Sequence, residues 1–409
     1  MKILIHTLVF SPDGVSTAYL YNDIATAFQE RGHEVVVVTT TPHFNALPEQ
    51  LAAQPLRWKI PGLCKESRYK GITVYHVPQR KFRSTALRLL GFLYWHLVSF
   101  FLVLGIRGVD VILSPSPPLT VGQLNLWLGR LKRCKVVYNV QEIYPDILGR
   151  DSGLAYRVLR RMERRVYAGS DAVTTIDPVF RDTIVGRFRD PARLHVIPNF
   201  VDTTLYRPGT GHAGLDPALF PETPALRLLY AGNIGLMQDW ETLLDLARAL
   251  RHEAVEFFVV GEGARRDALA EVQRAEGLDK LHLLPYQPRA LMPQLLDYSD
   301  LHFILMEPAV DGQGFPSKVY AVMACARPLL VCSGAGTPIV NLLAGMGCAR
   351  LVTEPDRPEK VRQMAAWLRT VDRAQLRQMG ACGLDVVRQH YTRDVVAGQY
   401  VDLIESLTR

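Results

Sequence analysis

The side chain with the clearest chemical implication is Lys318, which ends a glycine-containing segment at residues 311–318 (DGQGFPSK). This segment follows a strand-like run at residues 301–305 and opens a helical pattern that extends to Cys325. Ser317 can act as the N-cap of that helix, which places Lys318 in its first turn. Because a lysine there is unfavourable for the helix dipole, we expect it to bind a phosphate group. The alternative is an ordinary solvated lysine.

Two further turns rich in glycine occur in the same half of the chain, each directly after a strand-like run. They are YAGNIG at residues 230–235 and VGEG at residues 260–263. Such turns let the backbone approach a ligand closely and can cradle a diphosphate with their N–H groups. One glycine turn is weak support, since β–α connections often need glycine, but two in one domain are stronger. The residues concerned are Gly232, Asn233, Gly235, Gly261 and Gly263.

A similar turn near the N-terminus, residues 11–17 (SPDGVST), contains Gly14 and follows the first strand-like run. A dinucleotide-binding dehydrogenase needs G-x-G-x-x-G at this place and an acidic residue at the end of the second strand. This chain has one glycine there, and its second strand ends in threonines at residues 39–41. The pattern argues against a nicotinamide cofactor, and a ligand-binding turn and a plain turn both remain open for Gly14.

The elements that must position these groups alternate between strand and helix from one end of the chain to the other. This alternation predicts parallel α/β sheets, here two Rossmann-like doubly wound domains facing each other across a cleft. We expect residues 1–205 to form the first domain, with a C-terminal helix at about 390–409 packed back on it, and residues 206–389 to form the second. The Gly- and Pro-rich stretch 209–224 has the composition of a linker. Predicted strands lie at residues 2–10, 34–40, 72–77, 109–113, 135–140, 172–176, 194–197, 226–231, 256–260, 281–285, 301–305, 328–332 and 349–352.

Size and composition fit this organisation. A chain of 409 residues suits two domains of about 200 residues each. Its formal charge of +7 suits diphosphate ligands or an anionic membrane face. The same charge is equally consistent with no specific partner. The six cysteines show no C-x-x-C pair, and the N-terminal KILIH resembles a strand rather than a signal peptide. We therefore expect a cytoplasmic protein with reduced thiols.

Two segments suggest contact with a lipid surface. Residues 89–106 are 18 residues without a formal charge. They permit three interpretations: a buried crossover helix, a helix with a membrane-facing surface, or a true span. A second helix carries clustered arginines that can hold a lipid diphosphate or a membrane surface, or can simply form a solvated face. The basic residues before the first segment are Arg80, Lys81, Arg83 and Arg88, and the clustered arginines are Arg157, Arg160, Arg161, Arg164 and Arg165.

Residues 315–328 (FPSKVYAVMACARP) resemble the donor-site helix of family-four glycosyltransferases. They are most similar to the branch that builds bacterial O-antigen, capsule and exopolysaccharide repeat units. Four other segments match the same family in order and spacing, so that the resemblance spans nearly the whole chain. Each motif is modest alone, whereas their ordered set is specific. These segments are RGHEV at 31–35, QEIYPD at 141–146, VIPNFVD at 196–202 and AGNIG at 231–235.

The resemblance implies the GT-B fold, a nucleotide diphosphate sugar as co-substrate, retention of the anomeric configuration, and no metal or other cofactor. A UDP-sugar is the expected donor, bound mainly by the C-terminal domain. Lys318 then acts on the charge of the leaving group together with backbone N–H groups. The chain contains no Asp-x-Asp pair, the usual metal-bridging motif of the other large fold class. The implied donor-binding residues are Gly14, Gly232, Asn233, Gly235, Gln238, Gly261, Gly263, Gln313, Gly314, Phe315, Pro316, Ser317 and Lys318.

The sequence departs from the wider family at three places. The family's pair of glutamates, separated by seven residues, falls at Gln313 and Ala321, and alanine cannot hold the ribose hydroxyls. The family's catalytic histidine falls at Gln141, which cannot act as a base. Its basic pair falls near Asn233 and Gln238. The polysaccharide branch itself often carries glutamine at the histidine position and the Gly-Asn-Ile-Gly form of the turn.

Because Gln141 cannot accept a proton, the nearest carboxylates at the carboxyl end of that strand are Glu142 and Asp146. Either can orient or deprotonate an acceptor hydroxyl, which makes both candidate catalytic residues. A structural salt bridge is the alternative for Glu142. In a retaining mechanism without a protein nucleophile, the departing phosphate can itself accept the proton.

The sequence thus predicts a retaining glycosyltransferase that acts on a lipid-linked glycan at the cytoplasmic face of the bacterial plasma membrane. Capsule or lipopolysaccharide synthesis is the expected setting. Two alternatives remain, a nucleotide-sugar epimerase of the same shape and a non-catalytic scaffold protein. Nucleic acid is not an expected partner, because no aromatic platform or recognition motif accompanies the arginines.

Overall fold

The computed structural model describes residues 1–43, 48–80, 84–146, 153–311 and 314–408. The chain divides into two compact units. Unit 1 comprises Met1–Asn199 together with Arg393–Arg409, and unit 2 comprises Phe200–Thr392. The chain therefore passes between the units at two places, six residues before the first expected boundary and three residues after the second.

The stretch 209–224 belongs to unit 2 and is not a free linker between domains. Phe220 is buried at 4% exposure. The backbone N–H of Gly211 donates to Asp297, and the Tyr298 hydroxyl donates to the carbonyl of Pro221 at 2.6 Å. Composition alone suggested a linker here, but these contacts fold the stretch onto the second sheet.

The strands and helices follow one another as the alternation predicts. In chain order the strands are β1 (Lys2–His6), β2 (Glu34–Thr40), β3 (Arg57–Ile60), β4 (Cys64–Tyr69), β5 (Ile72–Val77), β6 (Val111–Pro115), β7 (Lys135–Val140), β8 (Ala172–Thr175), β9 (Leu194–Val196), β10 (Leu226–Ala231), β11 (Val255–Val260), β12 (Leu281–Leu284), β13 (Leu301–Leu305), β14 (Leu329–Cys332) and β15 (Ala349–Val352). The helices are α1 (Ser16–Glu30), α2 (Pro48–Ala53), α3 (Thr85–Gly105), α4 (Leu119–Lys132), α5 (Leu154–Gly169), α6 (Pro178–Ile184), α7 (Trp240–Ala249), α8 (Arg266–Ala275), α9 (Met292–Tyr298), α10 (Lys318–Ala324), α11 (Pro338–Leu343), α12 (Arg357–Thr370), α13 (Arg373–His390) and α14 (Arg393–Ser406).

The sheet of unit 1 has the order β3-β4-β5-β2-β1-β6-β7-β8-β9. Its strands are parallel except that β4 runs antiparallel to both β3 and β5. The β3–β4 hairpin was not expected from the sequence, because its alternation is obscured by charged residues on an exposed edge. Helices cover both faces of the parallel part, so central strands such as β1 are buried on both sides and read as continuous apolar runs.

The last helix, α14, packs on α1 in unit 1. Arg31 and His33 of the RGHEV motif contact Asp402 and Glu405 of α14 at 2.9 and 3.1 Å. The guanidinium of Arg393 donates to Glu30 at 2.8 Å. The motif therefore attaches the C-terminal helix to the first unit.

Unit 2 contains a six-stranded parallel sheet with the order β12-β11-β10-β13-β14-β15. Counted from β10, this is the doubly wound order 3-2-1-4-5-6, whose direction of winding reverses between β10 and β13. Hydrophobic side chains pack against both faces of the sheet. Ligands of such sheets bind beyond the carboxyl ends of the strands at this switch point, which directs attention to the segments that follow β10 and β13.

Helix α3 is a crossover helix with one exposed apolar face. Trp95, Ser99 and Val103 are fully buried against the unit, while only 17% of the most apolar 18-residue window is buried. The helix is long and apolar enough to cross a membrane by length and composition. Five exposed side chains at helical spacing form what we call the apolar strip, and they are 39–62% exposed: Leu90, Leu93, Leu97, Phe101 and Leu104.

Candidate functional site

The switch point of unit 2 brings together the predicted lysine and the first glycine turn. The ammonium of Lys318, the first residue of α10, donates to the carbonyl of Ala231 at 3.0 Å, across 87 residues of sequence. The same nitrogen lies 3.7 Å from the centroid of the Tyr230 ring. A carbonyl and an aromatic face are both favourable neighbours for a cation, but neither carries a formal negative charge. Lys318 is thus held in place without an anionic partner among the described residues.

The two glycine turns pack so closely that their glycines have no room for a side chain. Gly232 has φ +152°, and a Cβ there would lie 2.7 Å from the Lys318 ammonium. Gly261 has φ +150°, and a Cβ there would collide with the carbonyl oxygen of Gly232. Larger residues would therefore separate the turns, so the glycines allow the backbone to surround the lysine.

Tyr230 supports both parts of this arrangement. Its ring lies under the Lys318 ammonium, and its hydroxyl donates to the carbonyl of Asn233 at 2.7 Å. This tyrosine belongs to the YAGNIG turn, but no role was predicted for it from the sequence. A polar aromatic residue at the end of a buried strand was the available signal, since the hydroxyl of such a residue needs a partner.

Gln238 lies on the same edge of the sheet and bridges to Met306, directly after β13. Its side-chain Oε1 is buried and has no hydrogen-bond partner among the described residues. An unsatisfied buried carbonyl oxygen is costly, and a ligand that donates a hydrogen bond can remove that cost. Gly235 lies between Asn233 and Gln238 in the sequence. Its carbonyl oxygen accepts a hydrogen bond from the Trp240 indole at 2.7 Å.

The segment before Lys318 is only partly described, because Gln313 lies outside the described residues. Gly314, Phe315, Pro316 and Ser317 are partly buried beside the same edge. Ser317 occupies the N-cap position of α10, as predicted, but its side chain makes no capping hydrogen bond. Its backbone is in the helical rather than the extended region, which prevents the usual cap geometry. Helix α10 ends at Ala324, with Cys325 as its C-cap.

Burial lowers the pKa of Lys318 to about 7. Its charge also acts on His302 of β13, a fully buried histidine whose two ring nitrogens have no described partner. Burial first, and Lys318 second, hold the pKa of His302 well below its usual value. A lysine with a pKa near neutrality and no counter-ion is stabilised in its charged form by an anion, which is what a diphosphate provides.

The carboxyl edge of unit 1 is arranged differently. Gln141 follows β7 and is held by side-chain hydrogen bonds to Asn139 and from Asn199, at 2.8 and 2.9 Å. Asn139 is buried and also contacts Tyr21 at 2.5 Å. This network is electrically neutral and fixes the glutamine at the family's histidine position. Gly14 lies in the turn after β1, just before α1.

The two candidate carboxylates of unit 1 have opposite environments. Glu142 is half-buried, and its carboxylate has no ion pair or hydrogen bond among the described residues. Burial raises its pKa. Asp146 instead pairs with the guanidinium groups of Arg160 and Arg187, the latter at 2.6 Å. The carboxylate of Asp146 is therefore held by two arginines, whereas that of Glu142 has no such partner among the described residues.

Arg160 and Arg187 also pair with Glu163, whose side chain is fully buried. Arg160 was expected on a basic helix face, whereas its guanidinium is turned inward to these carboxylates. Arg187 was not singled out, because nothing local indicates that it contacts residues 24 and 41 positions earlier. The remaining arginines of that helix are exposed on α5: Arg157, Arg161, Arg164 and Arg165.

Known proteins that resemble this chain define its class. A family model described as a glycosyl transferase 4-like domain matches residues 17–199, and one described as glycosyl transferases group 1 matches residues 225–369. Together the two models span most of the chain, and each falls largely within one structural unit. The chain therefore belongs to the glycosyltransferases of family-four type, and the doubly wound sheets of its two units are those of the GT-B fold.

Particular relatives include two bacterial glycosyltransferases, one of which is described for colanic acid biosynthesis. The chain is 24% identical over 378 residues to the colanic acid biosynthesis glycosyl transferase WcaI of Escherichia coli K12, covering 88% of this chain and 90% of that one. It is 25% identical to the glycosyltransferase WbjE of Pseudomonas aeruginosa, with 74% and 76% covered. Among solved structures, HepE of Anabaena in complex with UDP superposes with a TM-score of 0.72 at 15% identity, covering 99% of this chain and 100% of that one. HepE has also been solved with UDP-glucose.

Proposed function

We propose that this chain is a retaining, metal-independent glycosyltransferase that moves a sugar from a nucleotide diphosphate sugar to a lipid-linked glycan. A UDP-sugar is the favoured donor. The proposed setting is the assembly of a bacterial surface polysaccharide, such as capsule or lipopolysaccharide, at the cytoplasmic face of the plasma membrane.

The observation that carries the donor proposal is the environment of Lys318. Its ammonium lies beside two glycine turns at the switch point of a doubly wound sheet, without a carboxylate partner among the described residues. A diphosphate fits this arrangement, because its negative charge meets the lysine while exposed backbone groups approach its oxygens. The complexes of HepE with UDP and UDP-glucose support uracil as the base.

The proposed chemistry follows from the charges. As the bond between the anomeric carbon and the phosphate oxygen breaks, negative charge grows on the diphosphate, and Lys318 stabilises it. The acceptor hydroxyl must lose a proton, and Glu142, whose pKa is raised, can accept it. The departing phosphate is the other acceptor for that proton. In this proposal the protein supplies no nucleophile, and transfer occurs on the face of the sugar that the diphosphate leaves.

Contact with a membrane is proposed for the apolar strip of α3 and the exposed arginines of α5. Monomeric proteins rarely expose so many large apolar side chains on one helix face. Arginines near an anionic leaflet add attraction of about 1 kcal/mol each. Leu154 and Val158 are 71% and 53% exposed on α5 beside those arginines, so this helix also presents apolar and basic groups together.

The test is a thermal-shift panel of UDP, GDP, ADP, TDP and CMP with the purified full chain. Because a ligand that binds only the native state stabilises it by mass action, UDP should raise the melting temperature selectively. A selective rise with another diphosphate would retain the donor site and change the base. No rise with any of them at millimolar concentration would reject the donor site.

The second candidate is a non-catalytic scaffold, and Ala321 favours it. This residue lies one turn after Lys318 on α10, where the family's ribose-binding glutamate belongs. Ala321→Glu should raise nucleotide affinity and turnover if the chain is an enzyme with weakened ribose binding. Absence of turnover in both forms, with acceptor lipid present, would favour the scaffold, whereas conversion of a UDP-sugar without any acceptor would identify an epimerase.

A further inference from the structure

Unit 1 contains an apolar cavity of about 700 Å³ that plays no part in the proposed transfer. It lies between the β3–β4 hairpin and the second half of α3. Lys2 and Glu34, the first residues of β1 and β2, also line it, so it is at the amino ends of the central strands. The candidate catalytic residues are at the opposite, carboxyl, edge of this sheet. The cavity is therefore remote from the carboxylates considered above.

The walls of this cavity are apolar and open to the outside. Ile60 and Leu63 of the hairpin are 43% and 44% exposed, while Leu97 and Phe101 of α3 are 60% and 62% exposed. Apolar side chains that line an open cavity leave apolar surface in water, which a hydrocarbon ligand would cover.

Specific contacts fix the position of the hairpin relative to the helix and the sheet. The Tyr94 hydroxyl of α3 donates to the carbonyl of Gly62 in the hairpin turn at 2.8 Å. The ammonium of Lys59 donates to Tyr75 and Glu66 at 2.9 and 2.8 Å. These bonds tie the hairpin to the helix and to the sheet. These hydrogen bonds therefore define the shape of the cavity.

The charges at its mouth favour an anion. Lys2 pairs with Glu34 at 2.9 Å, and Lys59 pairs with Glu66 at 2.8 Å. Arg107, just after α3, also lines the cavity, is exposed, and has no partner among the described residues. A guanidinium at the mouth of an apolar cavity suits a phosphate attached to a hydrocarbon chain.

The cavity is continuous with the apolar strip of α3, because Leu97 and Phe101 belong to both. The strip begins near the start of the helix, at Leu90, and leads to the cavity over about three turns. If the strip contacts a bilayer, the cavity opens where a lipid chain is available.

From this geometry we infer that the cavity between the β3–β4 hairpin and α3 binds one hydrocarbon chain of an anionic lipid, with Arg107 contacting its phosphate. The inference deepens the proposed membrane contact and rests on it. It gives unit 1 a lipid-binding site at the edge of the sheet opposite to its candidate catalytic residues.

The experiment uses the full chain and dodecyl phosphate below its micelle concentration, with binding measured by calorimetry. The wild-type chain should bind it with a stoichiometry near one. Leu63→Glu, which places a carboxylate on the apolar wall, should weaken binding about tenfold or more. Leu131→Glu is the matched control, because Leu131 is 61% exposed on α4 and does not line the cavity. It should leave the affinity unchanged.

The head-group contact has its own test. Arg107→Gln should weaken binding of dodecyl phosphate and leave binding of dodecyl maltoside, which is uncharged, unaffected. Arg130→Gln, an exposed arginine of α4, should change neither.

Lack of saturable binding by the wild-type chain would overturn the inference, as would equal losses in Leu63→Glu and Leu131→Glu. A dimer in sedimentation that Leu63→Glu converts to a monomer would assign the cavity to a second copy of the chain instead. Thermal shifts by UDP, measured on the same samples, report on the donor site independently, so failure of one proposal is distinguishable from failure of the other.

Discussion

The carboxyl edges of the two sheets hold their polar groups in contrasting ways. In unit 2, glycine turns and an aromatic ring surround the cation of Lys318, which has a backbone carbonyl as its acceptor. In unit 1, neutral amides hold Gln141, and Asp146 has two arginine partners. Among the described residues, Lys318 at one edge has no anionic partner, whereas Asp146 at the other edge pairs with two arginines.

This difference indicates which charged groups at the two edges can still interact with a ligand. A buried charge without a counter-ion raises the free energy of the unit unless a ligand supplies the partner. Among the described residues, the partly buried Lys318 of unit 2 has no such counter-ion, and near Gln141 in unit 1 only Glu142 remains unpaired. The comparison therefore supports the proposals that unit 2 binds an anion and that Glu142 of unit 1 accepts a proton.

The largest expected effect concerns the two carboxylates of unit 1. Glu142→Gln should lower kcat by about 100-fold or more if Glu142 accepts the acceptor's proton. Asp146→Asn should instead lower the free energy of unfolding by about 2 kcal/mol, since it weakens charged hydrogen bonds to two arginines. Turnover numbers and urea unfolding of both variants provide the measurement. Full activity in Glu142→Gln would transfer the role of proton acceptor to the departing phosphate.

The close packing of glycine turns in unit 2 predicts the next effect. Gly261→Ala should destabilise the protein by about 3 kcal/mol, because its Cβ would meet the Gly232 carbonyl and its φ is unfavourable for alanine. Gly398→Ala in α14 is the control, since nothing lies within 4 Å of a Cβ there. That change should be neutral or stabilising by about 0.5–1 kcal/mol. Equal unfolding midpoints for the two variants would contradict this close packing of the two turns.

Replacement of Lys318 directly tests whether its charge contributes to nucleotide binding. Lys318→Ala should weaken nucleotide diphosphate binding by about 1.5–3 kcal/mol. Lys280→Ala is a matched control, because Lys280 also donates to a backbone carbonyl, that of Glu253, but at the amino end of β12. Calorimetry should show a normal dissociation constant for Lys280→Ala. An unchanged constant for Lys318→Ala would remove the lysine from the site.

The smallest expected effect is the uptake of less than one proton when a nucleotide diphosphate binds. Burial lowers the pKa of Lys318 to about 7, so the free protein holds this lysine largely neutral at pH 8. A bound diphosphate should restore its charge, and binding at pH 8 should therefore take up protons. Calorimetry in buffers with different ionisation enthalpies measures that uptake, and Lys318→Ala should abolish it.

The same pKa shift affects stability in a defined direction. Between pH 7 and the unfolded value near 10.5, the unfolded chain binds more protons at this site than the native one. The contribution of Lys318 to stability therefore rises with pH across this window. Loss of this slope in Lys318→Met would assign it to the lysine, whereas an unchanged slope would assign it to other groups.

Much of the fold was predictable, because buried parallel strands produce apolar runs that are visible locally. The bounds of β2, β5, β7, β10, β13 and β15 agree with those expected from the sequence. The β3–β4 hairpin was missed because its residues are exposed and charged. The stretch 209–224 was misread because glycine and proline indicate turns but do not tell whether the turns pack on a sheet.

By itself, the sequence determined the strand–helix alternation, the glycine turns and the presence of a lysine at the start of α10. These features are local, and each depends on periodicity or on a few neighbouring residues. Only the tertiary structure decided that Lys318 lies against Ala231, that Asp146 is compensated by Arg187, and that Glu142 has no partner among the described residues. Such contacts join residues tens of positions apart, and sheet order, rather than any local pattern, determines which side chains meet.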